Sequence, residues 1–187
     1  MAVARSRSSA GPVGYAVGDI TSLDFPDGHF DGVRCERVLQ HVREPDAAIK
    51  ELIRVTRPRG RVCVIDTDWS SSVANGFDHL DEDIAEFFPE DNDPAAGRAI
   101  RSRMVRAGLR HTTALPVALR FTSLTDAGVV VPFFNCGAMQ SRVRAELIER
   151  FFASVERSVD RGGLLFAFTM WIGLGQVPLG SMPRNVS

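Results

Sequence analysis

Two apolar runs of strand length, Phe30-Asp-Gly-Val-Arg-Cys35 and Val62-Cys-Val-Ile-Asp66, enclose a helical period, and this unit most constrains what the chain can fold into. Pro45 stands where a first helical residue is expected, because its fixed φ suits the helix and its missing N–H costs nothing there. Ala48, Ile49, Leu52, Ile53 and Val55 recur at a period near 3.6, with Lys50, Glu51 and Arg54 facing water. The turn at 58–60 ends the helix. A crossover of this length implies parallel neighbouring strands joined in the right-handed sense, and the β-branched run at 62–65 suits a strand covered on both faces. Ahead of the unit, Tyr15-Ala-Val17 predicts another short strand stopping at Gly18-Asp19, followed by a loop over 20–28. The stretch 13–68 thus reads as half of an open α/β sheet.

Beyond it the pattern changes. Residues 36–41 predict a short helical turn or an irregular segment. Between 78 and 93 stand Asp78, Asp81, Glu82, Asp83, Glu86, Glu90, Asp91 and Asp93 without a lysine or arginine, so 70–93 reads as an acidic insert carrying a short amphipathic helix. A solvated face explains the acids better than a metal site. Asn92 or Asp93 then caps a helix with Pro94 near its first position, burying Ile100, Met104 and Val105 and ending at Ala107-Gly108. Residues 110–121 alternate as a half-buried strand, and Pro116 assigns it to a sheet edge. A connecting region over 122–137 contains an apolar patch at 129–134. Ser141 caps a last helix with Val143, Leu147, Ile148, Phe151, Phe152 and Val155 at helical spacing. Gly162-Gly163 turns into a final strand over 164–172, and 173–187 reads as irregular.

Length and charge narrow the classes. A chain of 187 residues predicts one domain, 1–187, with a sizeable core. Lys plus Arg number 22 against 23 Asp plus Glu, a formal charge of -1, so no global field recruits nucleic acid or an anionic membrane. Basic residues are scattered and no aromatic platform interleaves them, which argues further against nucleic acid. Cys35, Cys63 and Cys136 are widely spaced without a CxxC pair, as expected of reduced thiols and not of a zinc site. The first residues lack the apolar core of a secretory signal. The run at 164–174 falls short of the ~20 residues of a membrane span, so the expected location is the cytoplasm.

Ligands of open α/β sheets sit beyond the carboxyl ends of the strands, which directs attention to Asp19-Ile20, Arg34-Cys-Glu36 with Gln40-His41, and the stretch 66–69. Asp19 either accepts a hydrogen bond from an adenine amino group while Ile20 packs on the ring, or caps the turn that follows. His41 either acts as a base near neutral pH or is a packing histidine. Asp66 and Asp68 orient a substrate, hold a cation or cap a helix, and Trp69 either borders a ligand or covers the core. The sequence contains no GxGxxG, no GxxxxGK[ST] and no GxSxG.

Taken together, Gly18-Asp19, Leu23-Asp-Phe-Pro-Asp-Gly-His-Phe-Asp31, Arg34-Cys-Glu-Arg-Val-Leu-Gln-His41 and Leu52-Ile-Arg-Val-Thr-Arg-Pro-Arg-Gly-Arg-Val62 resemble the class I S-adenosylmethionine-dependent methyltransferases acting on small molecules, in the ubiquinone/menaquinone-biosynthesis-like branch. The match is dense over 13–69. By this resemblance the fold is a Rossmann-like methyltransferase sheet, mostly parallel with an antiparallel C-terminal strand, in the order 3-2-1-4-5-7-6. Tyr15 would fall in strand 3, Val33 in strand 4, Val64 in strand 5, Val117 in strand 6 and Phe166 in strand 7. The resemblance further implies S-adenosyl-L-methionine as cofactor, with Asp19 and Ile20 at its adenine and Arg34, Cys35 and Glu36 along its methionine end. His41 as catalytic residue and Trp69 would border a small-molecule methyl acceptor.

Two departures from the pattern carry expectations. Arg59 stands where a second glycine is usual, so either the turn is of another type or Arg59 is strained. Strands 1 and 2, the glycine-rich loop and the ribose-binding acid have no counterpart, so the sheet is expected to be truncated at its N-terminal side. The chain alone should then bind cofactor poorly and expose an edge through which it self-associates. The competing reading is an inactive methyltransferase-like remnant serving as a scaffold or regulatory partner.

Overall fold

The computed structural model describes residues 14–75, 93–131, 134 and 145–180. Four strands form one sheet: β1 (Phe30–Glu36), β2 (Thr56–Asn75), β3 (Arg110–Phe121) and β4 (Leu165–Gln176), in the order β1-β2-β4-β3. β1 and β2 are parallel, while β4 runs antiparallel to both β2 and β3. This is the 4-5-7-6 order that the resemblance implies for Val33, Val64, Phe166 and Val117. The connection from β1 to β2 is α1 (Pro45–Val55), with Pro45 in its first turn and Ala48, Ile49, Leu52 and Val55 buried.

Side chains alternate across the sheet, and each face has its own core. On one face Cys35, Val62 and Val64 pack beneath Ile49 and Leu52 of α1 and Ile100 and Met104 of α2 (Ala96–Arg106). On the other, Phe166, Phe168 and Phe121 meet α3 (Leu124–Val130), Phe134 and the Ile148, Phe151 and Val155 stripe of α4 (Ala145–Asp160). Among the described residues that second cover reaches only part of the sheet. Lower on the same face, Cys63, Ile65, Ile172, Leu174 and Leu115 are cross-strand neighbours, and Leu115 and Leu174 remain 61% and 40% exposed.

Several expectations are corrected. The segment around Tyr15 forms no strand, and residues 14–19 are exposed. No described strand lies beside it, and a lone strand leaves its backbone groups to water. For the same reason β1 has one open edge among the described residues. β2 begins at Thr56, directly after α1, and runs to Asn75, past the predicted end at 65 and into the expected acidic insert. The rest of that insert lies outside the described residues, as do Ser141 and its predicted cap. The connecting region after β3 contains a helix, α3, whose start is capped by the Ser123 side chain accepting from Asp126 N at 3.5 Å.

β4 does not stop at Ile172 but continues through two glycines to Gln176. These are packing glycines: a Cβ on Gly173 would stand 2.2 Å from Ile100 Cγ2 and 2.7 Å from Met104 Sδ. The helix α2 therefore lies close against β4 because those positions have no side chain. Asp93 does not cap α2 as expected: the N-cap is Ala95 without a side-chain cap bond, Asp93 Oδ1 accepts from Ala95 N at 3.0 Å in the turn ahead of the helix, and Val105 is exposed. Pro116 sits on β3, the other sheet edge, as predicted.

Candidate active site

The carboxyl ends of β1 and β2 lie side by side, Cys35 opposite Val64 and Glu36 opposite Ile65. Arg37 N extends the ladder to Ile65 O at 2.8 Å, and the chain then kinks through a left-handed residue, Arg37, with φ 55. Its guanidinium donates from Nη1 to Val130 O at 2.9 Å, joining this strand end to α3. A 3-10 turn, Leu39–His41, follows.

Asp66, at the end of the central part of β2, anchors that turn. Fully buried, it takes Gln40 N on Oδ2 at 3.3 Å and Thr67 N on Oδ1 at 2.9 Å. Burial raises its pKa, opposed by the N–H groups of Thr67, Gln40 and Leu39 and by the charge of His41. Gln40 is 2% exposed. Its side-chain Oε1 accepts from Trp69 Nε1 at 2.6 Å, and its carbonyl from Asp93 N at 3.0 Å. Trp69 lies 4.8 Å from the Phe168 ring. Asp68 is also buried: Oδ2 accepts from Arg98 Nε at 2.7 Å, while Oδ1 has no hydrogen-bond partner.

The structure thus joins His41, Asp66 and Trp69 through one turn, with His41 exposed at its end. Arg34 and Glu36 are exposed on the sheet face opposite α1 and pair with each other. Cys35 points the other way, into the core, where burial first and then the charges of Asp66 and Cys63 push its thiol up to about 12. Only its backbone can face a ligand beside Glu36, and the thiol is no nucleophile.

Asp19 and Ile20 occupy the loop before β1. Asp19 Oδ1 accepts from Thr21 N at 2.8 Å and Thr21 Oγ1 at 2.7 Å, which holds its carboxyl below the ordinary carboxylate range. The turn-capping use is therefore realised, and it leaves the group exposed and ionised. Ile20 leans on the α1-side core. The loop is tied down by Arg54, which donates to Leu23 O at 2.9 Å, Phe25 O at 2.8 Å, Asp27 Oδ1 at 2.7 Å and both Glu51 oxygens. A groove of about 450 Å³ runs behind this loop, lined by Thr21, Asp27, Lys50, Glu51, Arg54 and Thr56. It lies at the start of β2, away from the strand carboxyl ends, and its Arg54, Glu51 and Asp27 charges already pair with one another.

Sequence reasoning placed Gln40 beside His41 at a strand end but gave it no role, and it gave none to Arg37 or Arg98. A polar residue in a 3-10 turn has no periodicity to betray its burial, and arginine is frequent throughout the chain. Among the described residues no group of three or more His, Cys, Asp or Glu is placed to hold a metal ion.

Residues 1–64 match the methyltransferase domain family. A candidate methyltransferase of an antibiotic biosynthesis pathway from Anabaena variabilis superposes with a TM-score of 0.60 at 16% identity, over 89% of this chain and 77% of that one. This is the methyltransferase fold. In sequence, the chain is 34% identical over 130 residues to an uncharacterized 37.1 kDa protein of transposon Tn4556 from Streptomyces fradiae, over 69% of this chain and 33% of that protein. It is 38% identical over 60 residues to the ubiquinone/menaquinone biosynthesis C-methyltransferase UbiE of Pseudomonas putida, over 32% of this chain and 23% of the enzyme. The chain spans about a third or less of the length of these curated relatives.

Ligands of open α/β sheets bind beyond the strand carboxyl ends, and the residues present there fit part of S-adenosylmethionine. An exposed, ionised Asp19 beside half-buried Ile20 offers an acceptor next to an apolar wall, suited to an adenine edge and face. The ends of β1 and β2 offer polar groups to the amino-acid end. No glycine-rich loop occurs in this sequence to approach the ribose and sulfonium.

Proposed function

We propose that this chain serves the transfer of a methyl group from S-adenosylmethionine to a small-molecule acceptor in the cytoplasm. The observation that carries the reading is the meeting of the Leu39–His41 turn with Asp66 and Trp69 at the carboxyl ends of two parallel strands, in a sheet whose antiparallel β4 is inserted between β2 and β3. When bound, S-adenosylmethionine supplies an electrophilic methyl group on a sulfonium. Asp19 and Ile20 hold the adenine, and Arg34, Glu36 and the Cys35 backbone lie along the methionine end. Trp69 walls the acceptor. Exposed His41, on a turn fixed by Asp66, takes a proton where the acceptor is protonated, and proximity contributes much of the remaining rate.

Calorimetry with S-adenosylhomocysteine tests the binding half. Wild type is expected to bind more weakly than micromolar, and Asp19→Asn to weaken that by about tenfold. Equal affinity in both would sink the adenine assignment. Transfer from labelled cofactor to a metabolite panel tests the chemistry, with His41→Gln slowing it by roughly 10²-fold or more for a protonated acceptor.

A second reading, an inactive scaffold or regulatory partner, is favoured by the open edge of β1 and the uncovered apolar rows of β2, β4 and β3. A defined complex in sedimentation together with no cofactor binding would select it.

A further inference from the structure

We propose that Gln40 is a positioning residue: its side-chain carbonyl fixes the indole of Trp69, so that the acceptor side of the site is set by a buried glutamine. That the indole borders an acceptor rests on the function proposed above, whereas the positioning itself does not.

Gln40 is held at three points, two of them on β2 and one on the lead-in to α2. Its N–H goes to Asp66 on β2, its carbonyl receives Asp93 N from the lead-in to α2, and its side chain receives the Trp69 indole N–H at 2.6 Å. With the main chain pinned at both N–H and carbonyl, the side-chain oxygen is presented in one place. At 2% exposure, water cannot replace it. Trp69 is only half-buried, and one side of it meets Phe168 at 4.8 Å. It packs against the aromatic core, and a short polar bond at its edge fixes the tilt of the ring. Asp66 and His41 act on the same turn from the other side. Gln40 transmits the position of the turn to the aromatic wall through the bond to the indole.

The chain has two tryptophans. Trp171 Nε1 is buried without a hydrogen-bond partner, so Trp171→Phe breaks no described bond and leaves Trp69 as the sole emitter. In that background, Gln40→Met keeps the length and volume of the side chain but removes the acceptor. Its Trp69 emission is expected to move to shorter wavelength and become less anisotropic. Gln40→Glu retains an acceptor oxygen, so the wild-type emission should be kept while gaining a pH-dependent step that wild type lacks. Unchanged emission in folded Gln40→Met overturns the proposal. If Gln40→Met does not fold, the absence of a titrating step in Gln40→Glu overturns it instead. Adding S-adenosylhomocysteine to the Trp171→Phe protein separates the two readings. Quenching of Trp69 that weakens in Gln40→Met supports both. No quenching in the Trp171→Phe protein counts against the proposed function, while the emission and titration results still decide the role of Gln40.

Discussion

Among the described residues, three with side chains adopt the left-handed backbone region: Arg37, Arg59 and His111, at φ 55, 66 and 51. Each such conformation costs roughly 1–2 kcal/mol and is paid by its surroundings. At Arg59 those surroundings are main-chain: its N–H donates to Val177 O at 2.9 Å and its carbonyl accepts from Gln176 Nε2 at 3.0 Å. A glycine keeps both bonds and removes the strain, so Arg59→Gly is expected to raise stability by about 0.5–1 kcal/mol in urea unfolding, after allowing for the greater freedom of glycine in the unfolded chain. Its neighbour behaves oppositely. A Cβ on Gly60 would stand 2.5 Å from Thr56 Cγ2 and 2.7 Å from Asp31 O, and Gly60→Ala should cost about 2 kcal/mol in the same measurement. The Arg-Pro-x-Gly turn thus tolerates a side chain at one position and not at the next. The sequence showed that Arg59 was anomalous; the backbone angle shows that the anomaly is strain.

At the scale of elements, the Asp19 loop owes its place to α1. Glu51 accepts from Leu23 N at 2.7 Å and pairs with Arg54, and the Arg54 hydrogen bond holds Glu51 below its ordinary value of 4.5. A lowered folded pKa means that the folded state binds fewer protons than the unfolded chain. The stabilisation is therefore present above pH 4.5 and is lost as pH falls through the folded value. Glu51→Gln is expected to cost about 1 kcal/mol at pH 7, the partial exposure of Arg54 limiting the effect, and the gap from wild type should narrow in acid. Hydrogen exchange at Leu23 N–H should quicken in the same variant. The strand, helix and strand around α1 were legible because periodicity and Pro45 both depend on neighbours in sequence. The end of β4 was not, since Gly173 and Gly175 read as a loop until Ile100, Met104 and Leu109 are seen pressing on them. Tyr15 misled for the reverse reason: a strand-like composition forms no strand without a neighbour to pair with. Within the site, His41 and Trp69 stand out by residue type, while the burial of Gln40 arises from contacts 26 and 29 residues away.

At the scale of the whole molecule, one sheet face is covered above by aromatic side chains and α4, and no described element covers it below. Leu115 and Leu174 are 61% and 40% exposed on that open part, next to Ile172. An apolar surface of this kind drives association. The pair of substitutions Leu115→Lys and Leu174→Lys is expected to shift sedimentation toward monomer while changing the unfolding midpoint little, because each site is substantially exposed. Association that survives both changes would assign it to the β1 edge instead. The order of the strands also bears on synthesis. β4 occupies the middle of the sheet, yet it is the last of the four to leave the ribosome, so β2 and β3 emerge with no bond to each other and wait for a bridge made from residues 165–176. A stop codon placed ahead of Leu165 would not trim a border; it would withdraw the keystone and leave β2 and β3 with no strand between them.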